Sequence, residues 1–418
     1  MNQIMFFVGG LALAVGLVAC GGSNSDNPEV VEIPATAEDV KNNYVVMAHQ
    51  AYSDSLLTAT SLQEAVDIFI ETPTEDNLAL AKAAYKAARA PYQQSEIMRW
   101  DTAITLGNNL DDDGGLSSVD DWEGQVNAWP LDENHIVGLV EGDLAITKTL
   151  LVAQNGAQAN EANVTTGVHA VEFMLWGEDT NRTGAGSGER PASAYANDGT
   201  CADDYCQRRA EYLKAAIDLL VDDLTEMLAE WTPEASNTAG TLAYNFLNSD
   251  EGLDYILGSI RAMATDELAS ARMSAGITLG DPEEDHDCFS DLSHISIYHN
   301  FQGVRNAFYG RYNGVSGVNV SGAGLADLVK EKDMDLFITV DTALNSIEEK
   351  MAQILDAGER TDSNVRFDQI IGQDDSGVER QTAEAAINEL ILLDSVLIDV
   401  RELLSLVDVV VDGGGDGD

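Results

Sequence analysis

The segment TGVHAVEFMLWG, at residues 166–177, places a histidine and a glutamate three positions apart in an otherwise apolar run. If the run is helical, positions i and i+3 share one face, so His169 and Glu172 project together from a buried surface. Imidazole nitrogen and carboxylate oxygen both bind zinc and iron, and sites in helical bundles combine such a pair with acids from facing helices. A core histidine that is hydrogen-bonded to the glutamate is the simpler alternative, since two ligands do not complete a site.

The residues around this pair resemble the imelysin family of bacterial envelope proteins, which includes imelysin peptidases and iron-regulated lipoproteins. The resemblance rests first on the Gly-x-His-x-x-Glu signature that continues into Phe-Met-Leu-Trp-Gly. The last of the further matching segments is most similar to the iron-regulated branch. In order, these segments are 88–96 (ARAPYQQSE), 126–133 (VNAWPLDE), 188–191 (GERP), 208–213 (RRAEYL) and 283–294 (EEDHDCFSDLSH), and together they cover most of the chain after residue 38.

Apolar residues recur at spacings of three and four along nearly all of the chain beyond its first segment, which predicts an all-α protein. No strand-like alternation competes with this pattern, and the eight prolines leave long uninterrupted stretches. The predicted helices span residues 37–70, 77–100, 134–151, 160–176, 203–231, 240–275, 295–309, 323–355 and 379–410.

A short internal sequence repeat suggests two related halves. The signature at residues 167–173 is matched by GVRNAFY at residues 303–309, where Arg305 and Phe308 replace the histidine and the glutamate. The family resemblance implies two helical bundles around a pseudo-two-fold axis. We therefore expect an N-terminal bundle that carries the motif and a C-terminal bundle that lacks it, joined near residues 232–237. The predicted ranges are 37–233 and 234–411, with a disordered tail at 412–418.

The first residues predict a targeting segment rather than part of the fold. An apolar segment at residues 6–19 is too short to span a bilayer comfortably and ends in LVAC, which has the form of a lipobox. Residues 1–19 are therefore predicted to be a lipoprotein signal peptide, although no Lys or Arg precedes the apolar run. Cys20 would be the lipidated first residue of the mature protein, followed by a flexible tether at residues 20–36. We expect a lipid-anchored protein of the cell envelope, facing the periplasm or at the outer membrane, with no other membrane contact.

The family resemblance also implies further metal ligands. Glu96 and Asp132 match family acids that lie beside the His-x-x-Glu pair, giving three carboxylates and one imidazole. Hard oxygen donors with one nitrogen favour iron or manganese over structural zinc, and zinc remains an alternative. Two alternatives remain open: Glu96 can pair with Arg89 or Arg99, and Asp132 can cap a helix.

The function predicted from these residues is metal binding in iron acquisition or iron-regulated uptake. The partners would be a metal ion or metal complex and envelope uptake proteins. The alternative is a zinc-dependent imelysin-type metallopeptidase, in which Glu172 would act as the base. Zinc peptidases of the His-Glu-x-x-His type carry two imidazoles one helical turn apart, and that arrangement is absent from this sequence.

The segment at residues 283–294 resembles a family segment close to the functional region. We therefore expect Ser290 and His294 to contact a ligand in a cleft between the two bundles. A second metal site built from the histidines of this region is a further possibility. The chain has three of its six histidines here, at positions 286, 294 and 299, together with Asp287 and Asp291.

The cysteines other than Cys20 predict one disulfide. Cys201 and Cys206 lie five positions apart in a loop rich in Gly and Asp, and an envelope compartment permits a bridge between them. A structural role is favoured over zinc ligation because no second cysteine pair accompanies them. Cys288 is expected to be a buried thiol.

Acidic residues predict a cationic partner. The net charge is −50, from 72 acidic and 22 basic residues, which argues against nucleic acid as a ligand. A solubility adaptation to a saline habitat explains the same composition. Within this background, residues 109–120 follow the register of a calcium-binding loop. The candidate calcium ligands are Asn109, Asp111, Asp113 and Asp120, and a plain acidic loop is the alternative.

Overall fold

The computed structural model describes residues 34–98 and 123–407. The predicted signal peptide, Cys20, the calcium-like loop at residues 109–120 and the tail at residues 412–418 lie outside the described residues.

Helices make up most of the described chain, and the prediction of an all-α protein is confirmed. The helices of the first half are α1 (Ala37–Glu71), α2 (Glu75–Ser95), α3 (Glu123–Val126), α4 (Glu133–Glu141), α5 (Lys148–Gln154), α6 (Gly167–Trp176) and α7 (Cys206–Ala229). Those of the second half are α8 (Leu242–Asn248), α9 (Gly252–Ala262), α10 (Ala275–Leu279), α11 (Ser293–Tyr309), α12 (Leu325–Lys332), α13 (Met334–Glu359), α14 (Phe367–Gly372) and α15 (Val378–Leu404). Short 3₁₀ turns lie at Glu96–Met98, Ala157–Ala159, Ala192–Tyr195, Ala235–Asn237 and Pro282–Glu284.

Side-chain caps define several helix starts. At the start of α1, Thr36 Oγ1 accepts a hydrogen bond from the backbone N–H of Asp39, while the carboxylate of Asp39 accepts one from the backbone N–H of Thr36. The threonine before α2, Thr74, accepts in the same way from Asn77. These contacts satisfy backbone donors that have no partner inside the helix.

Four of the predicted helices differ from the structure, and one of them, 240–275, is interrupted between α8 and α9. The predicted helix at 134–151 is two helices, α4 and α5, because the chain leaves the helix at Gly142 in an extended conformation. The predicted helix at 323–355 is broken at Asp333, which ends α12 and whose carboxylate caps α13. The predicted helix at 160–176 begins only at Gly167, since Asn163 upstream donates its side-chain hydrogen bond to the carbonyl of Ala157.

The structure also contains a short antiparallel hairpin that the helical pattern did not predict. Strand β1 (Arg311–Asn313) pairs with β2 (Asn319–Ser321), with Tyr312 opposite Val320. Tyr312 is buried, and its hydroxyl donates to Asp54 on α1 over 3.0 Å. The hairpin therefore fastens the end of α11 to the first helix.

Packing joins the helices around one continuous core. Helix α1 packs on α2 and α7, α13 packs on α15, and α11 contacts both α2 and α13. The buried apolar side chains form one cluster from Val40 to Val400, and the described residues from Ala35 onwards belong to one compact unit. The bundle boundary near residues 232–237 and the pseudo-two-fold relationship stay predictions. Among the described helices, none is both long and apolar enough to cross a membrane.

A π-helical segment interrupts the second half. Helix α9 continues through a π-helix at Met263–Ser274 into α10 without leaving the helical conformation. Such segments shift the face that a helix presents and are frequent near functional sites. This one carries Glu267 and Arg272, both of which are buried.

Candidate metal centre

The position of α6 depends on its first residue. Gly167 has a φ of +77°, and a Cβ at this position would lie 2.4 Å from the backbone oxygen of Val126. A glycine therefore allows the start of α6 to approach the backbone of residues 125–126. This close approach fixes the position of α6, and with it the positions of His169 and Glu172 in the interior.

His169 and Glu172 face each other as their spacing predicts. His169 Nδ1 lies 3.0 Å from Glu172 Oε2, and both side chains are fully buried. The hydroxyl of Tyr85, on α2, donates to the same oxygen over 3.3 Å. The other oxygen, Oε1, accepts from the backbone N–H of Ser290 over 2.9 Å and from its hydroxyl over 2.6 Å. The Glu172 carboxylate is thus held by three separate segments of the chain.

Asp287 completes a group of three potential ligands. One ligand atom each of His169, Glu172 and Asp287 lies within 4.8 Å of the other two. Arg89 Nε lies 2.8 Å from Asp287 Oδ1 in a buried ion pair. The ring of His286 lies against that of His169, with 4.6 Å between the centroids, and His286 Nδ1 is 3.6 Å from Asp287 Oδ2.

The buried charges perturb one another. Burial and then the charge of Asp287 raise the pKa of Glu172 to about 8. Burial acts to raise the pKa of Asp287 as well, but the Arg89 guanidinium and the adjacent His286 ring hold it well below its usual value. Burial and the charge of Arg272 lower the pKa of His286 to about 4. At neutral pH and without a cation, Asp287 is therefore ionised, while His286 is neutral and Glu172 retains a proton.

Glu96 belongs to an adjoining polar network. Arg272 Nη1 lies 2.8 Å from Glu96 Oε2, and its Nη2 lies 3.0 Å from Glu267. Asn127 donates to Glu96 Oε1 over 2.7 Å and accepts from Arg89 over 3.0 Å, which connects this network to Asp287. Glu96 thus pairs with Arg272, and Arg89 pairs with Asp287, while the other predicted partner, Arg99, lies outside the described residues.

Asp132 acts as a helix cap in the structure. Its Oδ1 accepts from the backbone N–H of Asn134 over 3.0 Å at the start of α4. Neither Asp132 nor Glu96 is part of the group formed by His169, Glu172 and Asp287. Of the four residues suggested by the resemblance, the structure brings His169 and Glu172 together, with Asp287 as their third neighbour, and the ligand roles stay predictions.

The histidine-rich region divides among three environments. His286 lies beside His169, whereas His294 Nε2 is 3.0 Å from Glu359 on α13. The hydrogen bond from His294, followed by the one from Lys86, lowers the pKa of Glu359 to about 2. His299 contacts Gln94 over 3.3 Å. Of the two residues expected in a cleft, Ser290 thus contacts Glu172, and His294 faces α13.

Cys201 and Cys206 form a disulfide with an S–S distance of 2.05 Å. With Asp203 they make up a second group of closely spaced potential ligands. Because the two sulfurs are bonded to each other, this group lacks the thiolates that a metal requires. Cys288 is free and buried.

Comparison with known proteins shows the family of the chain and supports its fold. The imelysin family model matches residues 48–396. The chain belongs to the imelysin family. A crystal structure of a candidate iron-regulated protein A precursor from Parabacteroides distasonis ATCC 8503 is similar, with 18% identity, a TM-score of 0.60, and coverage of 88% of this chain and 97% of that one. An imelysin-like protein from Psychrobacter arcticum 273-4 is similar at 14% identity and a TM-score of 0.58, over 90% of this chain and 99% of that one. The comparison with curated proteins finds no match.

The donor set of this imelysin fits a transition metal. One imidazole and two carboxylates converge, and neither oxygen of Asp287 accepts a hydrogen bond within the described residues. Nitrogen with oxygen donors suits iron or zinc. A buried carboxylate that is short of hydrogen bonds is also the kind of group that a cation stabilises.

Sequence reasoning identified the local pair but not the role of its distant neighbours. Asp287 was visible in the histidine-rich region, although its spacing from His169 could not show that the two meet. Tyr85 and Arg272 carried no local signal at all. For Arg89, the sequence predicts Glu96 rather than Asp287 as the ion-pair partner.

Proposed function

We propose that His169, Glu172 and Asp287 bind a transition metal, iron in preference to zinc, in a protein of iron acquisition or iron-regulated uptake. The observation that supports this most directly is the convergence of three donor atoms within 4.8 Å on buried side chains. The carboxylate-rich donor set favours iron. The similarity to a protein described as iron-regulated supports a role in iron uptake.

The residues around the three donors would orient them. Tyr85 and Ser290 fix the Glu172 carboxylate by hydrogen bonds, and such contacts orient metal ligands. Arg89 keeps Asp287 ionised. A bound metal would supply the second positive charge that allows Glu172 to lose its proton as well.

Burial supports binding rather than peptide cleavage. His169 is 1% exposed and Glu172 is 0% exposed. A peptidase must bring a scissile bond within hydrogen-bond reach of its base, and these side chains are covered on all sides. Cleavage would therefore require a rearrangement that opens the site, whereas a single ion needs much less space.

The test is metal analysis of protein purified without chelator. Wild type should retain about one equivalent of iron, and His169→Ala should lose it, because removing one of three ligands weakens binding by orders of magnitude. The matched control is His299→Ala, which removes a histidine outside the group and should retain the metal. Circular dichroism should show the same helical content in all three proteins.

Two results would count against this proposal. Unchanged metal content in His169→Ala would place the site elsewhere. Metal-dependent peptide cleavage that disappears in Glu172→Gln would favour the metallopeptidase alternative, with Glu172 as the base.

We also propose that the mature protein is anchored to the envelope through a lipid on Cys20 and there delivers metal to uptake proteins. The lipobox-like residues 17–20 support this. Cys20→Ser should release the protein from the membrane fraction and abolish labelling by a fatty-acid analogue. Equal membrane association of the two forms would contradict lipid anchoring.

A further inference from the structure

A second region of the structure concentrates carboxylates around a small cavity. The cavity has a volume of about 10 Å³, enough for a single ion or water molecule. Its lining includes the side of Phe289, whose ring packs on Phe173 of α6 at 5.1 Å, so the cavity lies behind the segment that carries Asp287. We call it the acidic cavity, after the five carboxylates that line it: Glu133, Glu178, Asp179, Glu283 and Asp368.

The carboxylates of the acidic cavity come from four separate segments. Glu133 is in the first turn of α4, and Asp368 is in the first turn of α14. Glu178 and Asp179 follow α6, and Glu283 lies in the 3₁₀ turn at Pro282–Glu284. A ligand in the cavity would therefore hold together parts of the chain that are far apart in sequence.

Asp368 is the residue that points to a ligand. It lines the cavity and is 1% exposed, yet neither of its carboxylate oxygens has a hydrogen-bond partner within the described residues. Burying a carboxylate without partners costs several kcal/mol in free energy, by order of magnitude. Burial and the charge of Asp179 accordingly raise the pKa of Asp368 to about 7. Asp291, which is also buried, is a second acid that interacts with Asp368, and its Oδ2 lies 3.8 Å from Arg366 Nη1.

The basic residue of the lining does not compensate for these acids. Arg182 lies 3.1 Å from Asp281 and 3.5 Å from Glu283, and its side chain is 58% exposed. It therefore neutralises acids at the rim, where solvent screens the charge. Asp368, which is buried, makes no ion pair with this arginine within the described residues.

We propose that the acidic cavity is a binding site for one calcium ion, separate from the His169 centre. Carboxylate oxygens without imidazole suit a hard cation, and calcium accepts six to eight oxygen ligands in flexible geometry. The ligand atoms are not preassembled, because the closely spaced groups found in the described residues are elsewhere. Glu178 and Glu283, which are exposed, turn inwards to complete the site. Such a site corresponds to a Kd of about 0.1–1 mM.

Calcium titration tests this site directly. The full-length protein with Asp111→Ala and Asp113→Ala is the background, so that the loop at residues 109–120 does not contribute. Calorimetry should show one calcium ion bound, and thermal unfolding should show a higher Tm with calcium. Asp368→Asn should weaken calcium binding by about tenfold or more. The matched control, Asp223→Asn, changes another buried carboxylate outside the cavity and should leave the affinity unchanged.

A second variant protects the test against misfolding. Glu178→Gln with Glu283→Gln changes two exposed side chains and should also weaken calcium binding, with the fold intact. Unchanged affinity in this variant or in Asp368→Asn would overturn the proposal. So would a preference for cadmium over calcium that is lost in Cys288→Ser, because the thiol of the lining would then be the ligand. His169→Ala should retain calcium, which separates this site from the proposed iron site.

Discussion

Arg89 and Asp287 form an ion pair in the interior, with Arg89 Nε 2.8 Å from Asp287 Oδ1 and side chains that are 1% and 0% exposed. The pair connects α2 to the segment between α10 and α11. Two apolar side chains would be as stable or more stable in such a position. We interpret the pair as the means by which an ionised carboxylate is kept beside His169.

Removing Arg89 should therefore show how much the buried, unpaired Asp287 carboxylate lowers the free energy of unfolding. Arg89→Gln is expected to lower the free energy of unfolding by about 3–5 kcal/mol, because it leaves a buried charge without its partner. Urea denaturation in the presence of a chelator measures the loss. Adding Zn²⁺, a redox-inert probe of the site, should recover part of it, since the cation replaces the guanidinium as the counter-charge.

The control for this experiment is an exposed ion pair. Arg360 contacts Glu379 over 3.3 Å, and its side chain is 50% exposed, so Arg360→Gln should cost no more than about 1 kcal/mol. Equal losses in the two variants would show that the buried pair has no special role.

The close approach at the start of α6 makes a second prediction. Gly167→Ala should lower the free energy of unfolding by about 2–4 kcal/mol, because the new Cβ would lie against Val126 and the residue would keep a positive φ. It should also weaken metal binding by displacing His169. Gly138→Ala is the matched control: this glycine lies within α4 with open space around its Cα, so alanine should stabilise by about 0.5–1 kcal/mol. A neutral effect at Gly167 would contradict the packing described here.

Asp223 predicts how stability depends on pH. It lies on α7 and accepts a hydrogen bond from Gln125 over 2.9 Å, and burial raises its pKa to about 7. The folded protein keeps this proton at pH values where the unfolded chain, with a pKa near 3.8, has released it. The stabilisation that protonated Asp223 gives the folded protein is therefore lost as the pH rises from about 4 to 7.

Asp223→Asn should remove that loss. Relative to wild type, the variant should gain about 1–3 kcal/mol between pH 4 and pH 8, measured by urea denaturation at several pH values. Asparagine can keep the contact with Gln125, so the comparison isolates the charge. Parallel pH profiles for the two proteins would contradict the raised pKa.

The calcium-like loop at residues 109–120 gives a further prediction. Calcium at micromolar to millimolar concentration should raise the Tm of an Asp368→Asn protein, in which the acidic cavity binds calcium more weakly and the loop dominates the response. Adding Asp111→Ala and Asp113→Ala should abolish the remaining rise. An identical calcium response with and without these two changes would exclude the loop as a calcium site.

Local spacing accounts for what could be predicted about the site. His169 and Glu172 lie three positions apart on one helix, and helical geometry alone makes neighbours of them. Cys201 and Cys206 lie five positions apart, so their disulfide is also a local contact that the sequence can predict. Ser290 came from the family resemblance, and no spacing rule would have directed it to Glu172.

The sequence by itself determined that this protein is all-α and that an imidazole and a carboxylate share a buried helical face. Both properties depend on contacts within a few residues, which the pattern of apolar side chains encodes. Only the tertiary structure decided that Asp287 lies beside this pair, that Arg89 neutralises the Asp287 carboxylate, and that Arg272 pairs with Glu96. These contacts join segments far apart in the chain, and they depend on how helices pack, which neither residue type nor spacing specifies.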